Sequence, residues 1–208
     1  MRIVFATGNK DKMREIRQIL GGLDAEILSM KEAGADVDVE ENGTTFSENA
    51  MIKAKAIYDV LKEKEPEAAK DTVVLADDSG LEVDFLNGEP GIYSARYLGK
   101  DTPYSEKNRI IIDRLADAKD EERSARFVCA IAACLPGEKS LSTLGKMEGR
   151  IAYELAGENG FGYDPIFFLP EYGKTSAELT EDEKNAISHR GKALREMEKL
   201  LSAEIGKV

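Results

Sequence analysis

The amino-acid sequence predicts an α/β fold, and three features carry that prediction. Short apolar runs of strand length alternate with stretches of helical spacing along all 208 residues. Residues 127–135 are apolar throughout, as a central strand buried on both faces requires. Two helix starts carry capping boxes, Thr45 with Glu48 and Thr180 with Glu183, in which hydroxyl and carboxylate each accept a backbone N–H that the helix leaves open. With 42% hydrophobic and 33% charged residues the chain can fill a sizeable core. No repeat, low-complexity tract or linker divides it, so residues 1–208 read as a single domain.

Residues 2–6 form the first strand. Thr7-Gly8-Asn9-Lys10-Asp11-Lys12 follows, and Met13, Ile16, Ile19 and Leu20 then fall at helical spacing until Gly21-Gly22 closes the helix. A strand, a glycine-bearing loop and a helix start aim backbone N–H groups at an anion, and Lys10 and Lys12 add charge. An ordinary βα turn has the same layout, and the segment matches neither a dinucleotide-binding pattern nor a Walker loop. Residues 26–29 are a second strand, and 37–43 alternate before breaking at a turn. Thr45 caps a helix to about Lys62, with Phe46, Ala50, Ala54, Ile57 and Leu61 on its buried face. Asn49 and Lys53 share one side of that helix, which by spacing reads as a solvated face.

Residues 63–71 are polar and loop-like. Residues 73–76 form a strand, Asp77-Asp78-Ser79-Gly80 a turn, and 81–85 a further strand. Residues 87–91 are a turn cluster, and Thr102-Pro103 opens a helix with Ile110, Ile111 and Leu115 inward. After strand 127–135, Pro136-Gly137 turns the chain, 140–148 returns and 149–155 extends the sheet. Residues 159–165 make a tight loop before Ile166-Phe167-Phe168-Leu169. A short helix ends near Ser188-His189-Arg190-Gly191, and Ala193, Leu194, Met197, Leu200 and Leu201 mark a last one.

The chemistry centres on residues 73–81. An apolar strand that stops on two adjacent carboxylates needs a cation to meet them, because desolvating them alone is costly. One reading is a divalent-metal and general-base site at a sheet rim; the other is an Asx-turn that ends a strand. The net charge of −11 excludes broad electrostatic binding of nucleic acid, but not a small phosphate ligand held by local cations. No apolar run reaches membrane-spanning length and no signal-peptide pattern opens the chain, so a cytoplasmic protein is expected. Cys129 and Cys134, on opposite faces of one strand, are expected to be reduced core residues.

Six segments then occur in order: Thr7-Gly8-Asn9-Lys10-Asp11-Lys12, Thr45-Phe46-Ser47-Glu48-Asn49-Ala50, Ala76-Asp77-Asp78-Ser79-Gly80-Leu81, Pro90-Gly91-Ile92-Tyr93-Ser94-Ala95-Arg96-Tyr97, Gly160-Phe161-Gly162-Tyr163-Asp164-Pro165 and Ile187-Ser188-His189-Arg190-Gly191. Together, from residue 3 to about 200, they resemble the Ham1/RdgB family of inosine triphosphate pyrophosphatases. The resemblance implies an elongated two-lobed fold, with a central curved mixed β-sheet flanked by helices and a cleft between the lobes. It implies a Mg²⁺-dependent homodimeric hydrolase that converts ITP, dITP and XTP to the monophosphate and pyrophosphate.

The same resemblance implies the roles of particular residues. Thr7, Gly8, Asn9, Lys10, Asp11 and Lys12 would bind the triphosphate, and Asp78 would orient or deprotonate the attacking water. Lys53 is also, with Lys12 and the N–H groups of residues 7–12, a candidate to meet the triphosphate's charge. Glu40 would hold Mg²⁺ with Asp78, with the adjacent Glu41 as alternative, while Asp77 is either a second ligand or a structural cap. Ser79, Lys184 and the loop Phe161-Gly162-Tyr163-Asp164 would contact substrate. Arg190 and His189 can donate to the C6 carbonyl of hypoxanthine or xanthine, where adenine carries an amino group. Two other readings remain at this level: a broader phosphohydrolase acting on pyrimidine triphosphates, and a non-catalytic nucleotide sensor.

Overall fold

In the computed structural model, which describes residues 1–205, β1 (Arg2–Phe5) is paired in parallel with β2 (Glu26–Ser29) on one side and with β3 (Thr72–Val83) on the other. Ile3, Val4 and Phe5 are all fully buried, as a parallel strand covered on both faces must be. Between these strands lie α1 (Lys10–Leu20), α2 (Phe46–Lys64) and the short α3 (Pro66–Ala69). Then come α4 (Tyr104–Arg114), β4 (Ser124–Leu135), β5 (Lys139–Ile151), β6 (Phe167–Leu169), β7 (Lys174–Thr175), α5 (Glu181–Ile187) and α6 (His189–Ile205). The sheet has seven strands in the order β2-β1-β3-β4-β5-β6-β7, with β6 antiparallel to both neighbours, so it is mixed. This is the α/β class the sequence predicts.

The chain forms two compact units. The first contains residues 1–78, 129–145 and the part from 190 on; the second contains 79–128 and 146–189. The first has a core of Ile3, Phe5, Ile16, Val73, Leu75, Ile131 and Leu194. The second is built on Leu81, Val83, Ile111, Phe127, Ile151, Ile166 and Phe167. Cys129 and Cys134 are free and buried, and burial pushes the Cys129 thiol up to about 12, so it is inert. Among the described residues no helix is long and apolar enough to cross a membrane.

Both capping boxes are present, at Thr45 with Glu48 and at Thr180 with Glu183. Several boundaries differ from the sequence reading: β4 begins at Ser124, and β7 has no counterpart in that reading. β3 is one continuous strand, so Asp77, Asp78, Ser79 and Gly80 lie inside it and not in a turn. The strand does not break because cations and an amide meet those carboxylates, removing the cost that a lone pair of buried charges would impose. Residues 37–43 form no strand, α2 and α3 occupy most of 63–71, and β5 ends at Ile151.

Candidate active site

In the first unit the site grows from a mismatch in strand length. Pairing of β1 with β3 ends at Phe5 and Leu75, and β3 continues. Asp77 and Asp78 therefore stand just past the end of β1, where the chain turns into the 7–12 segment.

Asp77 is fully buried. Its carboxylate accepts from Lys12 Nζ at 2.9 and 3.0 Å and from Arg190 Nη2 at 3.1 Å. Burial alone works to raise the pKa of Asp77, but Lys12, Arg190 and Lys53 outweigh it and hold the carboxyl well below the usual range. Arg190 is itself buried and also donates to Glu15 Oε2 at 2.5 Å. Glu15 lies three residues after Lys12, on the same face of α1. Two carboxylates and two cations thus interlock beside the strand.

Asp78 sits differently. Asn49 Nδ2 donates to its Oδ2 at 3.1 Å, and Asn49 Oδ1 accepts the Gly43 N–H at 2.8 Å. A Cβ at position 43 would fall 2.7 Å from that Oδ1, so glycine is what lets the loop close on Asn49. Burial pushes Asp78 up to about 6; Lys53 and the Asn49 bond oppose this, and Glu41 adds to it. Lys53 Nζ bridges Glu41 at 3.0 Å and the Asp77 carbonyl at 2.9 Å. Burial works to lower the Lys53 pKa, but Asp77, Glu41 and Asp78 raise it, so the ammonium stays charged. Asn49 and Lys53 are therefore not the solvated pair that helix spacing alone suggests.

A pH effect on stability follows. The folded pKa of Asp78 lies above its ordinary value, so below about pH 4 both states are protonated, and above about pH 6 the folded state holds an unfavourably buried carboxylate. Metal-free protein is expected to lose about 2–3 kcal/mol through this group as pH rises across that window. Melting of wild type and Asp78→Asn in EDTA checks it: the variant gains on wild type as pH rises, and parallel curves would contradict it.

The 7–12 segment is partly closed on itself. Thr7 N–H donates to Phe5 O at 2.8 Å and Asn9 N–H to Thr7 Oγ1 at 3.2 Å, while Asp11 and Lys12 N–H both donate to Asn9 Oδ1, at 2.9 and 3.2 Å. Asn9 is thus the N-cap of α1. Of the candidate N–H groups in this segment, four are engaged within or beside it. Gly8 and Lys10 are exposed, and Lys12 Nζ is the cation that reaches the carboxylates.

In the second unit the loop before β6 is braced by Asp164, which is 2% exposed. Its Oδ2 accepts from Phe161 N at 2.8 Å and Lys184 Nζ at 2.7 Å, and its Oδ1 accepts from Ser176 Oγ. Gly160, at φ +74°, is obligatory because a Cβ there would lie 2.1 Å from the Asp164 carboxylate. The Lys184 ammonium is 4.9 Å from the Phe161 ring centre. Tyr163 is buried, Ser79 is half-buried on β3, and His189 stacks on Phe127 with centroids 4.9 Å apart. Phe161, Asp164 and Lys184 form one contact group.

Among the described residues no cluster of three or more His, Cys, Asp or Glu side chains is arranged for a metal. Mg²⁺ does not require one, since it takes one or two carboxylates and completes its shell with water and substrate oxygens. Asp78 and Glu41 fit that role. Both are hard donors, and Glu41 is near enough to raise the pKa of Asp78, a repulsion a divalent cation relieves. Of the two adjacent glutamates, Glu41 faces Lys53 and Glu40 is exposed. Sequence reasoning missed Glu15 altogether. The available signal was a charged residue on the apolar stripe of Met13, Ile16 and Leu20.

Comparison with known proteins shows the family and the fold. A family profile described as Ham1 family matches residues 3–200. A Clostridium perfringens protein named dITP/XTP pyrophosphatase is 50% identical over 196 residues, covering 94% of this chain and 95% of that protein. A Bacillus subtilis protein of the same name is 44% identical over 200 residues, 96% of each. The solved structure of the Staphylococcus aureus Ham1 protein superposes with a TM-score of 0.84 at 39% identity, over 98% of this chain and 100% of that one.

Proposed function

The chain belongs to the Ham1 family, and from that premise we propose that it is a Mg²⁺-dependent pyrophosphatase that hydrolyses dITP, ITP and XTP to the monophosphate and pyrophosphate. The observation that carries the reading is Asp78, a mostly buried carboxylate held near neutrality between Asn49, Lys53 and Glu41. In the metal-free protein a carboxyl raised to about 6 is still ionised at physiological pH, the state a general base or a metal donor needs. The relatives' name, dITP/XTP pyrophosphatase, supports the substrate class.

Lys12 and Lys53 meet the triphosphate charge, and Asp77 and Arg190 keep Lys12 in place. Asp78 orients the water for in-line attack on the α-phosphorus, and pyrophosphate leaves. Asp78 and Glu41 would hold Mg²⁺, which would supply neutralisation of the triphosphate charge. Thr7, Gly8, Asn9, Lys10 and Asp11 shape the phosphate side. Phe161 offers a ring to the purine, and Lys184, His189, Arg190 and Ser79 supply donors against the C6 carbonyl and sugar. A cytoplasmic homodimer is part of the same reading, and sedimentation only at the mass of one chain would remove the dimer.

The deciding experiment is a rate profile over ITP, dITP, XTP, GTP, ATP and dUTP, with and without Mg²⁺, following pyrophosphate. Hydrolysis of the first three at least about tenfold above ATP, a difference of about 1.4 kcal/mol, and dependent on Mg²⁺, is expected. Equal rates on dUTP would favour a broader phosphohydrolase, and binding without pyrophosphate release a sensor.

A further inference from the structure

We propose that Ser94 and Asn108 are positioning residues that hold the loop at 160–164 in the conformation that discriminates the purine. The inference rests on the pyrophosphatase reading and extends it to residues that reading does not use. It also gives a role to the Pro90–Tyr97 motif.

All the groups lie in the second unit. Ser94 is buried; its Oγ donates to Gly91 O at 2.6 Å and accepts the Leu81 N–H at 2.9 Å, which ties the 91–97 turn to β3. Its carbonyl accepts the Tyr163 hydroxyl at 2.8 Å. Asn108, on α4, donates from Nδ2 to Gly162 O at 3.0 Å. Tyr104 packs edge-on against Tyr163 with ring centres 5.2 Å apart. Lys107, 1% exposed, donates to Ala95 O at 2.8 Å and so joins α4 to the turn.

Two consecutive loop residues, Gly162 and Tyr163, are therefore held from outside, one by Asn108 and one by Ser94. The next, Asp164, is held by Ser176 and Lys184 and in turn fixes the Phe161 N–H. Gly162 sits at φ +69°, a conformation open to glycine, whose many accessible backbone states leave the outside bonds to select this one. Asn108 Oδ1 is buried with no hydrogen-bond partner among the described residues. An apolar side chain there would serve packing better, so asparagine is explained by its one bond, to Gly162. A shifted loop would misplace the Phe161 ring and the donors beside it, and hydrogen-bond recognition fails over small displacements.

The test uses the full chain carrying Asn108→Leu or Ser94→Ala. Either variant is expected to raise KM for ITP about tenfold, with kcat within about twofold, and to narrow the ITP-to-ATP ratio of kcat/KM about tenfold. Asn108→Leu removes a buried Oδ1 that is unpaired among the described residues but also the donor to Gly162 O, so it should melt within a few degrees of wild type. Exchange of the Phe161 amide proton should quicken about tenfold while that of Leu75 in the first unit stays unchanged. Folded variants with unaltered KM, selectivity and exchange would overturn the proposal. So would a common fall in kcat on ITP and ATP with KM unmoved. If Asn108→Leu does not fold, Ser94→Ala decides alone. A wild-type protein inactive on every purine triphosphate would instead sink the pyrophosphatase reading, and the exchange measurement would still show whether Ser94 and Asn108 hold the loop.

Discussion

Asp78→Asn is expected to lower kcat for ITP by about 10²–10³-fold with little change in KM, the size of effect typical when a positioned general base is removed. The substitution is nearly isosteric, and Asn49 Nδ2, which donates to Asp78 Oδ2 at 3.1 Å, can donate equally to an amide oxygen. What is lost is the negative charge, and with it the base and a metal donor. Melting separates this from damage: in EDTA at neutral pH the variant should be at least as stable as wild type, because it no longer holds a carboxylate that burial has raised to about 6. Turnover within a factor of three of wild type, in a folded protein, would remove Asp78 from catalysis.

Arg190→Ala should be costly to fold as well as to function. The guanidinium touches Asp77 at 3.1 Å and Glu15 at 2.5 Å, and all three groups are buried. Removing one member of a buried charge network typically costs about 3–5 kcal/mol, because the remaining charges stay desolvated. For a chain of this size that lowers the melting temperature by roughly 10 °C. Activity should fall in two parts. Asp77 loses the guanidinium that fixes its position, so Lys12 is placed less firmly, which weakens ITP and ATP hydrolysis alike; a further loss on ITP alone measures donation to the C6 carbonyl. Glu15→Gln calibrates the first part, since it disturbs the network without removing the guanidinium. Equal losses on both nucleotides in Arg190→Ala would assign Arg190 wholly to the network and end its base-reading role.

Much of the site was legible because its signals are local. The Thr45 capping box set the start of α2, the Lys12 and Asp78 segments stood out beside strands, and the order of six short motifs pointed to the family. Other residues were misread where neighbours along the chain give no clue to neighbours in space. Asn49 and Lys53 look like an exposed i, i+4 pair, but both turn inward because Asp78 and the Asp77 carbonyl lie opposite. Asp77-Asp78 looks like a turn because such pairs usually end strands, and stays in β3 because its charges are met.

By itself the sequence determined the α/β class, the succession of strands and helices, the caps and the apolar faces, since periodicity and capping act within one or two turns of chain. Only the tertiary structure decided which charges meet. Lys12 and Asp77 are 65 residues apart, Asp77 and Arg190 113, and Glu15 and Arg190 175. Electrostatic energy depends on distance and burial in space, so the pKa of Asp78 and the pairing of Arg190 appear only once the fold has brought those groups out of water together.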